Sequence, residues 1–247
     1  MSVRDDKFVV VRGMNERYNL SYLNDNLAPS TELYSRAFAL NLLPTRIIDK
    51  ILVFKSPSPE LLGDMAGGAV KIYTKDAVAV KHFDIDFNIG IRPGTAFNNN
   101  FLTYEGGSTD FLGFDNGTRA LPSSVPGYGD FTKAKISQKQ YAESFSNILT
   151  YQRKQALPNL QLTANYYNAW NIFGRTLSSL TSFSYKNESR QNDVSRNQRT
   201  WSQDGGNAYN ITEETQSQET AQMTLLQNFS YQLNNRIKFR FKNFLLQ

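Results

Sequence analysis

Residues 82–91 read HFDIDFNIGI. Successive side chains of an extended backbone point to opposite faces, so Phe83, Ile85, Phe87, Ile89 and Ile91 share one side and Asp84, Asp86, Asn88 and Gly90 the other. Soluble strands rarely alternate so cleanly for so long, and the pattern recurs further along the chain. In NLQLTANYYNAW, Leu160, Leu162, Ala164 and Tyr166 alternate with Gln161, Thr163, Asn165 and Tyr167. In TLSSLTSFSYK, the weakest of the set, Leu177, Phe183 and Tyr185 share a face with Ser179 and Thr181. In QMTLLQNFSYQL, Met223, Leu225, Phe229, Tyr231 and Leu233 line one face; in RIKFRFKNFL, Ile237, Phe239, Phe241 and Leu245 oppose Lys238, Arg240 and Lys242. A two-residue turn at Asn234-Asn235 is expected between these last two runs.

The connections between these five predicted strands alternate long and short. About 65 residues separate the first two strands, a few around Asn171 to Arg175 the next, about 30 the third pair and two the last. Compact domains seldom carry structureless loops beyond about 15 residues, whereas outer-membrane barrels have long loops outside the cell and short turns in the periplasm. The predicted long loops are 93–158, with a helix across Ser137 to Thr150, and 187–218. Aromatic residues near strand ends (Tyr166, Tyr167, Trp170, Phe183, Tyr185, Phe229, Tyr231) match the girdles of membrane barrels, and the Asn, Gln, Ser and Thr face suits a wet lumen.

Composition narrows the chemistry. The 247 residues carry 27 Lys plus Arg against 22 Asp plus Glu, a formal charge of +5 spread along the chain without a basic stripe or an RNP-type motif, so no nucleic-acid partner is expected. With no cysteine there are no disulfides, thiolate metal sites or cysteine nucleophiles, and the single histidine, His82, reads as structural. No cofactor, metal site or catalytic residue is expected. The aspartates Asp84 and Asp86, about 7 Å apart on one strand face, are within glycosidase reach, but lumen-facing residues of a barrel explain them with no further assumption, and no enzyme is expected. GDMAGG is not followed by Gly-Lys-Ser/Thr and is not a phosphate loop; Gly13, Gly63, Gly67 and Gly68 read as turn or close-approach glycines. Mean hydropathy is -0.49 and no apolar run is long enough for a spanning helix, a filter that β-barrels pass. MSVRDDKFVVVRG has no signal-peptide h-region.

Residues 1–78 read as a small α+β unit with strands at Phe8 to Val11, Asn19 to Leu23, Ile51 to Phe54 and Ala69 to Thr74, and Pro44 opening a short helical turn over Thr45 to Lys50. The stretches VVVRGMNERYN (Val9 to Asn19), SYLNDNLAPSTELYSRAFALNLLP (Ser21 to Pro44) and RIIDKILVFKSPSPELLGDMAGGAVKIYTKD (Arg46 to Asp76) resemble, in order, the plug domain of TonB-dependent outer-membrane receptors of the Bacteroidetes-like branch.

The resemblance implies an α+β plug (1–78, its C-terminal part) followed by antiparallel transmembrane β-barrel strands (79–247), about five of the roughly 22 that such a barrel needs. It implies location in the Gram-negative outer membrane and energy-coupled uptake of a ligand such as a ferric siderophore, cobalamin or a glycan. It further implies work drawn from the TonB–ExbB–ExbD complex through a TonB box, contact with outer-membrane lipid, and a surface lipoprotein as a further partner. Arg12 corresponds to the plug arginine held by barrel glutamates, and Lys55 to a second arginine of relatives; the glutamates are expected on strands beyond Gln247. Asn26, Ser30, Thr31, Glu32, Tyr34 and Arg36 match the region facing the outer lumen and are the candidate ligand contacts, with Phe111, Phe114 and Tyr128 of the first loop behind them. Signal peptide, TonB box and first plug half are not in the sequence, so a part of a receptor is expected, with five strands unable to close. The alternative is a soluble periplasmic or surface carbohydrate-binding β protein, which would pack Phe83, Ile85, Phe87, Ile89 and Ile91 in a core.

Overall fold

The computed structural model describes residues 2–4, 7–33, 36–125, 138–145, 150–201, 207–234 and 236–247. The strands in chain order are β1 (Ser2–Arg4), β2 (Phe8–Val10), β3 (Asn19–Leu23), β4 (Asn26–Leu27), β5 (Ile48–Phe54), β6 (Gly68–Thr74), β7 (His82–Gly90), β8 (Phe101–Thr103), β9 (Gln152–Lys154), β10 (Asn159–Ile172), β11 (Arg175–Trp201), β12 (Asn207–Gln232) and β13 (Lys238–Leu246). One α-helix, α1 (Gln138–Ser144), and four short 3-10 turns complete the described structure, so the chain is mostly β-sheet with few helices, as the alternation predicts. No described helix is long and apolar enough to cross a membrane, which says nothing about strands.

The N-terminal sheet has the order β4-β3-β6-β5. Its central strand, GAVKIYT, is buried along almost its whole length, pairing parallel with β3 and antiparallel with β5. Leu23 pairs with Asn26 across a two-residue turn in which Asn24 and Asp25 have φ of 50° and 68°. Positive φ at both central positions is the type I′ geometry, which Asn and Asp tolerate because their short polar side chains bond locally. Gly68 permits a close approach to backbone: a Cβ there would meet Val11 Cγ1 at 2.6 Å and the Phe54 carbonyl at 2.9 Å. Gly13 has φ +72° and Gly67 also borders close neighbours, whereas Gly63 shows neither property. The helical turn after Pro44 ends at Ile47, and β5 begins at Ile48, earlier than predicted, because its alternation is masked by exposure on both sides of an edge strand.

The second large sheet has the order β13-β12-β11-β10-β7, with β7 and β13 at its edges. β10 and β11 join through Phe173-Gly174, a short connection as predicted. Two connections differ from expectation. The stretch 187–218 is not a loop: β11 runs on to Trp201 and β12 begins at Asn207. Period-two hydrophobicity cannot reveal this extension, because both of its faces are polar; cross-strand pairs such as Thr215 Oγ1 to Asp193 at 2.8 Å and Arg196 with Glu214 at 3.4 Å hold it. Nor does the last hairpin turn on two residues. Gln232 pairs with Lys238, and Leu233 N donates to the Ile237 carbonyl at 3.0 Å, so three residues form the tip, with Asn234 Oδ1 accepting from the amides of Arg236 and Ile237 at 2.8 Å each. Asn235 lies outside the described residues. The hydrophobic pattern decides this register. It puts Phe229 opposite Phe241 and Tyr231 opposite Phe239, whereas a two-residue turn would slip the ladder by one and set those aromatics against Arg240 and Lys238.

The chain forms two compact units. Residues 1–87, 162–185 and 222–247 make one, with a core of Val9, Val11, Phe38, Leu43, Ile47, Val70, Ile72 and Ala77 that also takes in Leu180 and Leu226 from the second sheet. Residues 88–161 and 186–221 make the other. Here Phe101 and Ala156 are fully buried, β8 pairs with β9, and Lys154 bridges Glu219 at 2.6 Å. The loop 104–119 folds on itself: Arg119 bonds both Asp110 and the Tyr104 hydroxyl, and this guanidinium, aided by the Gly107 amide, holds the Asp110 carboxyl below its usual value. Helix α1 lies within the predicted helical stretch 137–150.

Candidate functional site

The five-stranded sheet is inside out. Phe83, Ile85, Phe87, Ile89 and Ile91 are each more than half exposed, as are Phe239, Phe241 and Leu245 of the opposite edge strand. Leu162, Tyr166, Trp170, Phe183 and Leu225 of the intervening strands, and Leu233 just past β12, are also exposed. The other face is polar and buried: Thr163, Asn165, Ser178, Ser182, Ser184, Gln222, Thr224, Asn228 and Ser230 are all shielded. Burying a large apolar side chain is worth roughly 1.5–3 kcal/mol, so a sheet that hides its hydroxyls and amides while presenting its Phe and Ile residues leaves a large apolar surface uncovered by the described residues.

The buried face meets the N-terminal sheet through hydrogen bonds, with Leu180 and Leu226 as its apolar anchors. Asn228 Nδ2 donates to the Lys75 carbonyl at 2.7 Å, and Gln222 Nε2 to the Leu42 carbonyl at 2.8 Å. Asn165 donates to Asp84 at 2.7 Å, and Arg46 pairs with Asp86 at 2.6 Å. The densest knot is centred on Lys242 of β13. Its Nζ reaches Asp76 Oδ1 at 2.8 Å, the Thr74 carbonyl at 3.0 Å and Asn24 Oδ1 at 3.2 Å; Asn24 Oδ1 in turn accepts from the Thr74 amide at 3.0 Å. Partial burial works to raise the Asp76 carboxyl, but the Lys242 hydrogen bond and charge, with Arg240 and Lys238 beyond, outweigh it and hold Asp76 below its ordinary value.

A second cluster belongs to the N-terminal sheet itself. Lys71, almost fully buried in β6, has Asp25 at 3.4 Å and Glu60 at 3.6 Å, with the rings of Tyr22 and Phe54 each 5.6 Å from its ammonium. The Tyr73 hydroxyl donates to Asp25 at 2.6 Å; this bond lowers the Asp25 carboxyl and pushes Tyr73 up to about 12. A groove of about 640 Å³ lies beside the Lys242 knot, with Asp49, Lys75, Asp76, His82, Asp84 and Tyr167 in its walls. Among the described residues no group of three or more His, Asp or Glu side chains is arranged to hold a metal ion.

No family model, curated protein or solved structure matches this chain.

The residues singled out in the sequence fall into four groups. Ser30 and Thr31 close their own loop: the Ser30 hydroxyl donates to Glu32 O at 3.0 Å and accepts from the Ala37 amide, while Thr31 Oγ1 bonds Ala37 O at 3.2 Å and accepts from the Ala39 amide at 3.0 Å. Arg36 pairs with Asp64 at 2.5 Å, Asn26 donates to Asn24 O, and Glu32 is exposed; Tyr34 and Tyr128 lie outside the described residues. The hydroxyls of the predicted ligand loop thus serve its own folding. Arg12, with φ 57°, and Lys55 are exposed and form no ion pair among the described residues. Phe111 and Phe114 are exposed on the folded loop of the second unit. Asp84 and Asp86 are engaged by Asn165 and Arg46, an arrangement of structural partners. Lys242, Asp76, Asn24 and Lys71 were not singled out from sequence. Two signals were present: Lys242 stands on the inward parity of β13, and Lys71 interrupts a mostly apolar strand.

Proposed function

We propose that this chain is part of a TonB-dependent outer-membrane receptor, with β1 to β6 belonging to the C-terminal part of the plug and β7 and β10 to β13 to the barrel wall. The receptor takes up a scarce ligand such as a ferric siderophore, cobalamin or a glycan, drawing work from TonB–ExbB–ExbD, with a surface lipoprotein as a further partner. The observation that carries the reading is the inverted polarity of the five-stranded sheet, Phe and Ile outward and Ser, Thr and Asn inward. Lengths agree: a tilted transmembrane strand needs about 9–11 residues, and β7 and β13 have 9 each. In β11 and β12 most of the outward apolar positions fall in Leu177–Tyr185 and Met223–Tyr231; beyond them both strands continue with largely polar residues, Ile211 being an exposed apolar exception.

The polar seam fits the same reading. A domain retained inside a wall yet released on pulling is better held by directional hydrogen bonds than by a broad apolar contact, because such bonds fix one register without requiring large net stability. The soluble carbohydrate-binding alternative needs the Phe83 to Ile91 face packed, and that face is more than half exposed.

The test uses the absence of native cysteine. Single cysteines at Ile85, Phe87, Phe239 and Phe241, in chains reconstituted into phospholipid vesicles, are expected to resist a water-soluble maleimide and to react with a lipid-soluble one. Equal labelling of all four by the aqueous reagent, with the chain folded, overturns the membrane reading.

A further inference from the structure

Among the described residues three tight turns have positive φ at both central residues, and they differ in what occupies them: one, closed by the Met14 amide on the Val11 carbonyl, uses Arg12-Gly13. The β3–β4 turn uses Asn24-Asp25, residues that suit the left-handed region. The β10–β11 turn uses Phe173-Gly174, with φ of 52° and 71°. A phenylalanine gains nothing locally from left-handed backbone and pays a steric penalty there, so the type I′ geometry would favour Asn or Gly at position 173. Among the described residues the ring recovers no packing: Phe173 is 97% exposed, the highest value of their exposed large hydrophobic side chains. A strained, fully presented aromatic residue is an outlier from which a function is to be sought.

Its surroundings specify the partner. Trp170 and Ile172 precede it on the outward face of β10 and are themselves exposed, so the ring continues the apolar band of the sheet. The β12–β13 tip lies at the same end, since the Tyr231 hydroxyl bonds the Ile172 carbonyl at 3.4 Å, and it presents Leu233 and Ile237, both exposed. Cations stand beside the apolar residues: Arg175 directly after the first turn, and Arg236 and Lys238 at the second, all exposed. Apolar rings at the edge of a hydrocarbon-facing band, flanked by arginine and lysine, match the boundary between acyl chains and anionic headgroups.

We infer that Phe173 is a lipid-interface anchor, its ring inserted at the acyl–headgroup boundary of an anionic bilayer while Arg175 and Arg236 bind phosphate oxygens. This rests on the membrane reading of the sheet. The chain has two tryptophans, Trp170 and Trp201, so the full-length variant with both replaced by Phe is a dark background for a single probe. Phe173→Trp in that background, reconstituted in phosphatidylcholine–phosphatidylglycerol vesicles brominated near the headgroup end of the acyl chains, is expected to be quenched, as is a control Phe87→Trp. Quenching of the control without quenching at 173 overturns the anchor and leaves the membrane reading standing. Quenching of neither overturns both. A blue shift at 173 without bromine quenching places the ring against protein and also overturns the anchor. Phe173→Asn creates the favoured Asn-Gly turn; it is expected to hold or raise the urea midpoint while weakening vesicle partition by about tenfold. Unchanged partition overturns the proposal.

Discussion

Replacing Lys242 with Met removes one ammonium group and keeps most of the side-chain volume. That ammonium bonds Asp76, the Thr74 carbonyl and Asn24, with only a fifth of its side chain exposed. A hydrogen bond involving a charged group is worth about 1.5–3 kcal/mol, and stripping the partner from a fully buried ion costs about 3–5 kcal/mol. Asp76 keeps 39% exposure, and Arg240 Nε remains 3.8 Å away, so the orphaned carboxylate retains water and one cation and the lower range applies. The expected cost is about 2 kcal/mol, or roughly a thirtyfold rise in the opening equilibrium of this corner. Native-state amide exchange in the full chain reads it directly, because the Thr74 amide is held by Asn24 Oδ1, itself bonded by Lys242. Exchange at Thr74 should quicken about thirtyfold while Val70, at the far side of β6, stays protected. Asp76→Asn should cost less, since Lys242 keeps its bonds to Thr74 and Asn24. Unchanged exchange at Thr74, or an equal rise along all of β6, would refute the view of Lys242 as a local latch.

Acid should open the same corner. The folded chain holds Asp76 below its unfolded value, so the unfolded chain binds the proton more tightly; this contribution is complete above about pH 4 and is lost as pH falls further, and Lys242→Met should flatten that part of a stability–pH curve. Leu226→Ala removes a side chain that is 1% exposed and packed in the shared core, and should lower unfolding free energy by about 3 kcal/mol in urea titrations. Ile85→Arg alters an exposed position and should change solubility little in water, yet cost about 2–4 kcal/mol in vesicle-folded protein if that face meets hydrocarbon, as measured by the folded fraction in lipid against urea.

Much of the β architecture was legible because alternation is a local property. The faces of β7, β10, β12 and β13 follow from parity alone, and Phe83 through Ile91 sort as the structure sorts them. The extension of β11 and β12 was not legible, because a strand with two polar faces has no hydrophobic period and is held by backbone pairing with a partner distant in sequence. In the candidate ligand loop, whether the hydroxyls of Ser30 and Thr31 are available depends on Ala37 and Ala39 folding back onto them, which no local pattern shows.

The last hairpin shows the division most clearly. The run of residues determined by itself that Phe229, Tyr231, Phe239 and Phe241 belong on one side; Asn234-Asn235 suggested a two-residue turn that is incompatible with it, and the tertiary register settled the conflict in favour of the aromatic pairs. Likewise, sequence determined which face of the sheet is polar, but only the folded chain decided that the polar face is the buried one. Burial depends on what packs against a strand, and here that is a separate sheet more than a hundred residues earlier, bonded through Asn24, Thr74 and Asp76 to a lysine whose place on an alternating strand marked its side and nothing of its partners.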